Sequence, residues 1–108
     1  MRDHNIFVTI AIPFYNSECF LADAIQSVVN QTYINWELLL MDDNGTDGSR
    51  KIAEKFAAKD KRIRLVSDNE NHGLPSRLNE SVELAKGEIY VRMDDDDIMV
   101  ADRVETVS

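Results

Sequence analysis

Ile6-Phe7-Val8-Thr9-Ile10-Ala11-Ile12-Pro13-Phe14-Tyr15-Asn16 decides the fold, because a β-branched run closes on a proline and opens into a polar turn that has no glycine. β-Branched side chains suit a pleated, buried surface, so Ile6 to Ile12 reads as an interior strand ended by Pro13. The period then changes. Leu21, Ile25 and Val28 are spaced by four and three, a helical stripe that Ser17 is placed to cap. Cys19, the lone cysteine, precedes Phe20, Leu21 and Ala24 and is expected as a packed thiol, so no intrachain disulfide is possible.

The alternation repeats along the chain. Trp36 to Met41 is a second strand, stopped by Asp42. Thr46 or Asp47 caps a second helix with the stripe Ile52, Ala53, Phe56 and Ala57. Ile63 to Val66 is a third strand. A third helix is expected from Pro75 or Ser76 to Lys86, burying Leu78, Val82 and Ala85, with Gly87 just past its end. Glu88 to Met93 is a fourth strand, running into Asp94-Asp95-Asp96-Asp97, and Asp102 opens a further short helix. Four strands alternating with three helices imply one α/β domain over residues 1–108: a Rossmann-like, open, mostly parallel sheet with helices on both faces.

Composition narrows the function. A net charge of −8 over 108 residues argues against nucleic acid and anionic membrane as partners, since both reward basic surfaces. The apolar run Ile6 to Ile12 is too short for a membrane span or a signal-peptide core, so the chain reads as soluble and cytoplasmic. In an open parallel sheet, ligands bind beyond the carboxyl ends of the strands. Four polar clusters fall there: Pro13-Phe14-Tyr15-Asn16, Asp42-Asp43-Asn44-Gly45, Asp68 to Gly73, and Asp94 to Asp97. Carboxylates crowded into one crevice call for a divalent cation, which also lets the crevice accept a diphosphate. A dinucleotide site would need a glycine-rich turn after the first strand, and none is present.

These clusters carry a family resemblance. Ile10 to Asn16, Ser27-Val28-Val29-Asn30-Gln31-Thr32-Tyr33, Met41 to Gly48, Asn71-His72-Gly73-Leu74, Glu83 to Glu88 and Arg92 to Asp97 together resemble the start of glycosyltransferase family 2, whose members have the GT-A fold. The resemblance implies that Pro13 and Tyr15 lie against a nucleotide base and that Asp43 accepts a hydrogen bond from it. Asp94 and Asp96 match the D-x-D motif, with Asp96 on the metal (Mn or Mg) and Asp94 on the ribose or the metal. Asp97 and Arg77 would serve the donor sugar and its phosphates. Asp95 stands where the motif usually has a small uncharged residue, and Asn44 stands where the family often has glycine.

The same resemblance implies inverting, metal-dependent transfer of a sugar from a nucleotide diphosphate sugar to a glycan acceptor hydroxyl, in surface polysaccharide synthesis. Uridine diphosphate sugars are the leading expectation. Guanosine and deoxythymidine diphosphate sugars stay open. The full-length protein would work in the cytoplasm or at the cytoplasmic face of the membrane. A general base is expected beyond Ser108, so the 108-residue chain alone is expected to bind nucleotide and metal without turnover. The alternatives are a non-catalytic nucleotide-sugar-binding module and a phosphorelay receiver-type domain.

Overall fold

The computed structural model describes residues 6–68 and 70–95. Their order is β1 (Val8–Phe14), α1 (Leu21–Val29), β2 (Trp36–Asp42), α2 (Ser49–Lys59), β3 (Ile63–Val66), α3 (Leu74–Leu84) and β4 (Ile89–Arg92). All strand pairs are parallel, in the order β3-β2-β1-β4. This is the expected α/β sheet. Its topology follows from handedness: β1 to β3 step one way across the sheet, β4 returns to the other side of β1, and right-handed crossovers then put α3 on the face opposite α1 and α2.

Side-chain alternation agrees with that division. Val8, Ile10, Ile12 and Phe14 of β1 join Leu38 and Leu40 of β2, Ile63 of β3, and Leu21, Ala24, Ile25 and Val28 of α1 in one buried cluster. Residues of the opposite parity meet α3: the Tyr90 hydroxyl lies 2.6 Å from Ser81 Oγ. Trp36, at the start of β2, is buried, and the Arg62 guanidinium stacks 3.8 Å from its ring centroid.

Four local expectations are corrected. The first strand does not end at Pro13 but runs through it to Phe14, with Pro13 paired to Met41 and Phe14 to Asp42. The proline is tolerated because the β2 side of β1 is served by its even-numbered residues, as the Asp43 N–H bond to Phe14 O (3.0 Å) shows. Its missing N–H would point toward β4, whose pairing with β1 has already ended at Ala11 and Arg92.

Ser17 does not cap α1 with its hydroxyl; its carbonyl accepts the Phe20 and Leu21 amides, and the helix begins at Leu21. Cys19 lies in that preceding turn and is exposed rather than packed. α3 spans Leu74–Leu84 and buries Arg77 and Ser81, whereas Val82 is 57% exposed. The helix is rotated by its polar residues, which have partners in the sheet and in the loop after β3.

Gly87 is required where the chain enters β4. A Cβ there would stand 2.5 Å from Thr9 N and 2.9 Å from Phe7 O, both backbone atoms of β1, which cannot move without breaking the ladder. Gly87→Ala is therefore expected to cost about 1–3 kcal/mol, the usual penalty for overpacking. Urea unfolding of the two proteins measures it.

Candidate functional site

The direction of strand progression reverses between β1 and β4, so the crevice that a parallel sheet offers a ligand lies at their carboxyl ends. The expected residues meet there. Tyr15 N–H points to Asp95 Oδ2 at 3.4 Å, and the Ser17 hydroxyl also donates to Asp95. The acidic loop after β4 is thus tied to the turn after β1. Asp94 lies two residues past Arg92, the end of β4, and pairs with it at 3.2 Å across an exposed surface. Pro13 is buried in β1, and the Tyr15 ring is 44% exposed at the rim. Asp96 and Asp97, and the helix start expected at Asp102, lie outside the described residues.

Asp43 lies on the other side of the β1 end. It is 2% exposed and accepts from three donors: His72 N–H at 2.8 Å and Arg77 Nε at 3.1 Å on Oδ1, and Gly73 N–H shared between Oδ2 at 3.1 Å and Oδ1 at 3.2 Å. Its carbonyl accepts the Asn71 side-chain amide at 3.1 Å. Asp42 beside it turns inward differently, taking Asn44 N–H at 2.9 Å and the Ser67 hydroxyl at 3.1 Å. So the two adjacent acids hold the two ends of the segment between β3 and α3. Asn44 has φ +60°, the left-handed conformation this turn demands and asparagine tolerates. Gly73 has φ +86°, which places its N–H on Asp43 and starts α3.

Arg77 is the residue whose part the sequence understated. Its guanidinium is 1% exposed and every nitrogen is engaged: Nε with Asp43, Nη1 with Glu80 at 3.0 Å, and Nη2 with Asp68 at 2.8 Å and the Glu70 carbonyl. The Asp68 hydrogen bond is the largest cause of a raised Arg77 pKa. Reciprocally, the Arg77 guanidinium holds the Asp68 carboxyl well below the usual carboxylate range. A further pair of contacts was not foreseen: His72 Nε2 lies 3.0 Å from Asp68 and 3.2 Å from Glu70. These three exposed side chains have metal-ligand spacing, but a cation there would sit against the Arg77 charge already bound to Asp68.

The two loops at the β1 and β2 ends are also laced together. Asn16, at φ +49°, turns its Oδ1 to accept Thr46 N–H at 2.7 Å and Asp47 N–H at 3.3 Å. Asp47 accepts Glu18 N–H at 3.0 Å, and Glu18 accepts Gly48 N–H in return. Asp47 also receives the Ser49 amide at 2.9 Å, so it satisfies the first turn of α2 as a capping residue would.

With this geometry in place, the comparisons with known proteins have a clear reading. The family model for glycosyl transferase family 2 matches residues 9–107. The chain belongs to glycosyl transferase family 2. Among its relatives are the glycosyltransferase GlyG of Streptococcus pneumoniae, 32% identical over 100 residues, and the UDP-Glc:alpha-D-GlcNAc-diphosphoundecaprenol beta-1,3-glucosyltransferase WfgD of Escherichia coli, 37% identical over 98 residues. The match covers 93% and 91% of this chain but only 33% and 38% of those proteins, so the chain spans just over a third of the length of such relatives.

Solved structures agree. The mannosyltransferase PcManGT of Pyrobaculum calidifontis, in complex with GDP-Man and Mn2+, superposes with a TM-score of 0.83 at 25% identity, covering 96% of this chain and 32% of that one. S. aureus TarS 1-349 in complex with UDP-GlcNAc gives 0.86 at 25% identity, covering 94% and 30%. Family 2 membership leaves no place for the receiver-domain alternative.

Arg77→Met is expected to destabilise the fold by about 3–5 kcal/mol, because it strands the Asp43 carboxylate in the interior. The Arg77→Met/Asp43→Asn double variant recovers part of that loss, and urea unfolding of the four proteins gives the coupling. Asp68, whose folded pKa is depressed, contributes stability above its ordinary value near 3.9, roughly, and loses it as pH falls further. In Arg77→Met its carboxyl resonance should titrate at higher pH than in the parent, which carbon-detected NMR reads directly.

Proposed function

We propose that this chain forms the nucleotide-sugar-binding part of a glycosyltransferase that moves a sugar from a nucleotide diphosphate donor to an acceptor hydroxyl. The observation that supports it most is the meeting of Tyr15, Asp43 and Asp95 around the carboxyl end of β1, at the strand-order reversal. Relatives and structural neighbours of the same family act on such donors: WfgD carries a UDP-Glc activity in its name, and PcManGT and TarS hold GDP-Man and UDP-GlcNAc.

The half-exposed Tyr15 ring gives a nucleobase a stacking platform, with Pro13 behind it. Asp43 is pinned by His72, Gly73 and Arg77, so a base N–H donor finds its remaining lone pair in a fixed place. Uracil and guanine both carry a ring N–H of that kind; the uridine diphosphate donor remains the preferred choice. Arg77 acts through Asp43 in this arrangement, and a direct contact with donor phosphate would require it to exchange one of its acid partners.

Asp94, Asp95, Asp96 and Asp97 offer only carboxylate oxygens, a donor set that suits a hard divalent cation such as Mn2+ or Mg2+. Asp96 and Asp94 would hold it, with Asp97 toward the donor sugar. When bound, the cation would neutralise the diphosphate and stabilise its departure as the acceptor oxygen attacks with inversion. Asp95 itself is held by Ser17 and Tyr15, which ties the residue preceding Asp96 to the turn after β1. Glycan synthesis at the cell surface is the expected setting, with a glycan as acceptor.

Calorimetric titration of the chain with UDP and GDP, with and without Mn2+, tests this reading. Mn2+-dependent binding is expected, weakened about tenfold or more by Asp43→Asn and by Asp96→Ala, in line with loss of a hydrogen bond to a charged group or of a ligand. Binding that ignores both the metal and Asp96→Ala would remove the metal from the mechanism. Binding that ignores Asp43→Asn would remove the base contact.

A further inference from the structure

The chain's charge of −8 conceals a strong segregation. Residues 50–64 carry seven of the twelve Lys and Arg residues against two acids, Glu54 and Asp60, a local charge of +5, which leaves −13 on the other residues. Both of those acids are already matched, Glu54 with Arg50 at 3.6 Å and Asp60 with Arg62 at 2.8 Å. Lys51, Lys55 and Lys59 recur at intervals of four along α2, form one exposed stripe, and have no ion-pair partner among the described residues.

The stripe borders an apolar depression. Ala22 of α1 with Ile52 and Phe56 of α2 line a groove of about 240 Å³, and Lys55 and Lys59 form its charged rim. It lies on the α1–α2 face of the sheet. An isolated basic helix face is usually just solvated. Here three features coincide: one stripe of lysines without an ion-pair partner among the described residues, a floor of apolar side chains, and segment acids that are already matched by arginines.

We propose that the α1–α2 face, through Lys51, Lys55 and Lys59 and the groove they border, docks this chain on an anionic phospholipid bilayer. Ammonium groups on flexible stems reach headgroup phosphates while their methylenes and the Ile52–Phe56 floor meet the acyl boundary. A nucleic acid fits less well. Its recognition favours arginine forks and exposed aromatic platforms, whereas this stripe is lysine and Phe56 is half-buried in the groove. The proposal does not depend on the nucleotide reading, since it uses none of the residues assigned to that site. It also revises the inference drawn from the whole-chain charge, because short screening lengths let the lysine stripe act locally.

Flotation of the chain with phosphatidylcholine vesicles, with and without 30% phosphatidylglycerol, provides the test. Binding is expected to the anionic vesicles only, and to fall steeply in 0.5 M NaCl. Lys55→Gln/Lys59→Gln should lower the partition coefficient about 25-fold, at roughly fivefold per neutralised lysine. Glutamine preserves helix propensity at these exposed sites, and circular dichroism confirms folding. Lys51→Gln, outside the groove but on the same stripe, should lower binding about fivefold. The proposal is overturned by equal binding to neutral vesicles, by no binding to anionic vesicles at low salt, by glutamine variants that bind as the parent does, or by capture of a single-stranded oligonucleotide at lower concentration than vesicles.

Discussion

A single buried carboxylate organises the ligand edge of this molecule. Asp43 follows the last residue of β2, gives its N–H to the end of β1, and gathers donors from the loop after β3 and from α3. Burying that charge is unfavourable unless it is paired and hydrogen-bonded, as it is here by Arg77 and two backbone amides. Gly73 must take φ +86° to present its amide, and Arg77 must sit inside rather than on the surface. Those two requirements set where α3 begins and which face it buries. An ion pair of this kind adds little net stability over a well-packed apolar pair. Its contribution is position: it fixes three loops to one another at the end of a strand.

That same requirement explains which parts of the fold the sequence displays. The strands are plain because β1 and β2 are covered on both faces and so read as near-continuous apolar runs, Val8 to Phe14 broken only by Thr9, and Leu38 to Met41. α1 is plain because its Leu21, Ile25 and Val28 stripe meets a purely apolar sheet face. α3 is not, because its inward positions are Arg77 and Ser81 and their partners outside the helix lie 7 to 34 residues away in sequence. A hydrophobic template therefore selects Val82 and turns the helix the wrong way. Pro13 misleads for a related reason: the rule that proline ends a strand assumes both edges are paired, and one edge of β1 is already free at that height.

The site divides along the same line. Its ingredients were legible, since each polar cluster follows a strand and the parallel topology sends all of them to one edge. Asn44 was legible as well, because a turn that wants a left-handed residue names its own candidates. The ties between clusters were not. Asp95 reaches Ser17 and Tyr15 across 78 and 80 residues, and Asn16 reaches Thr46 across 30, contacts that depend on strand register rather than on local pattern. Ser17 was assigned to the helix beside it when its hydroxyl serves the loop across the crevice. Cys19 was assigned to packing because its neighbours in sequence are apolar, yet those neighbours lie beyond the turn that exposes it.

The two acidic groups that flank β1 are consequently different in kind. The charge of Asp43 is spent inside the protein: an arginine and two backbone amides answer it, so it presents geometry more than field. Asp95 accepts from a hydroxyl and an amide, donors of no net charge, so these contacts leave its negative charge in place. On the proposed reading, a diphosphate donor would meet the Asp95 charge on the β4 side and a neutralised, preorganised acceptor on the β2 side. Base recognition and tolerance of the phosphates would then draw on opposite sides of one strand end, and only the second would call for a cation.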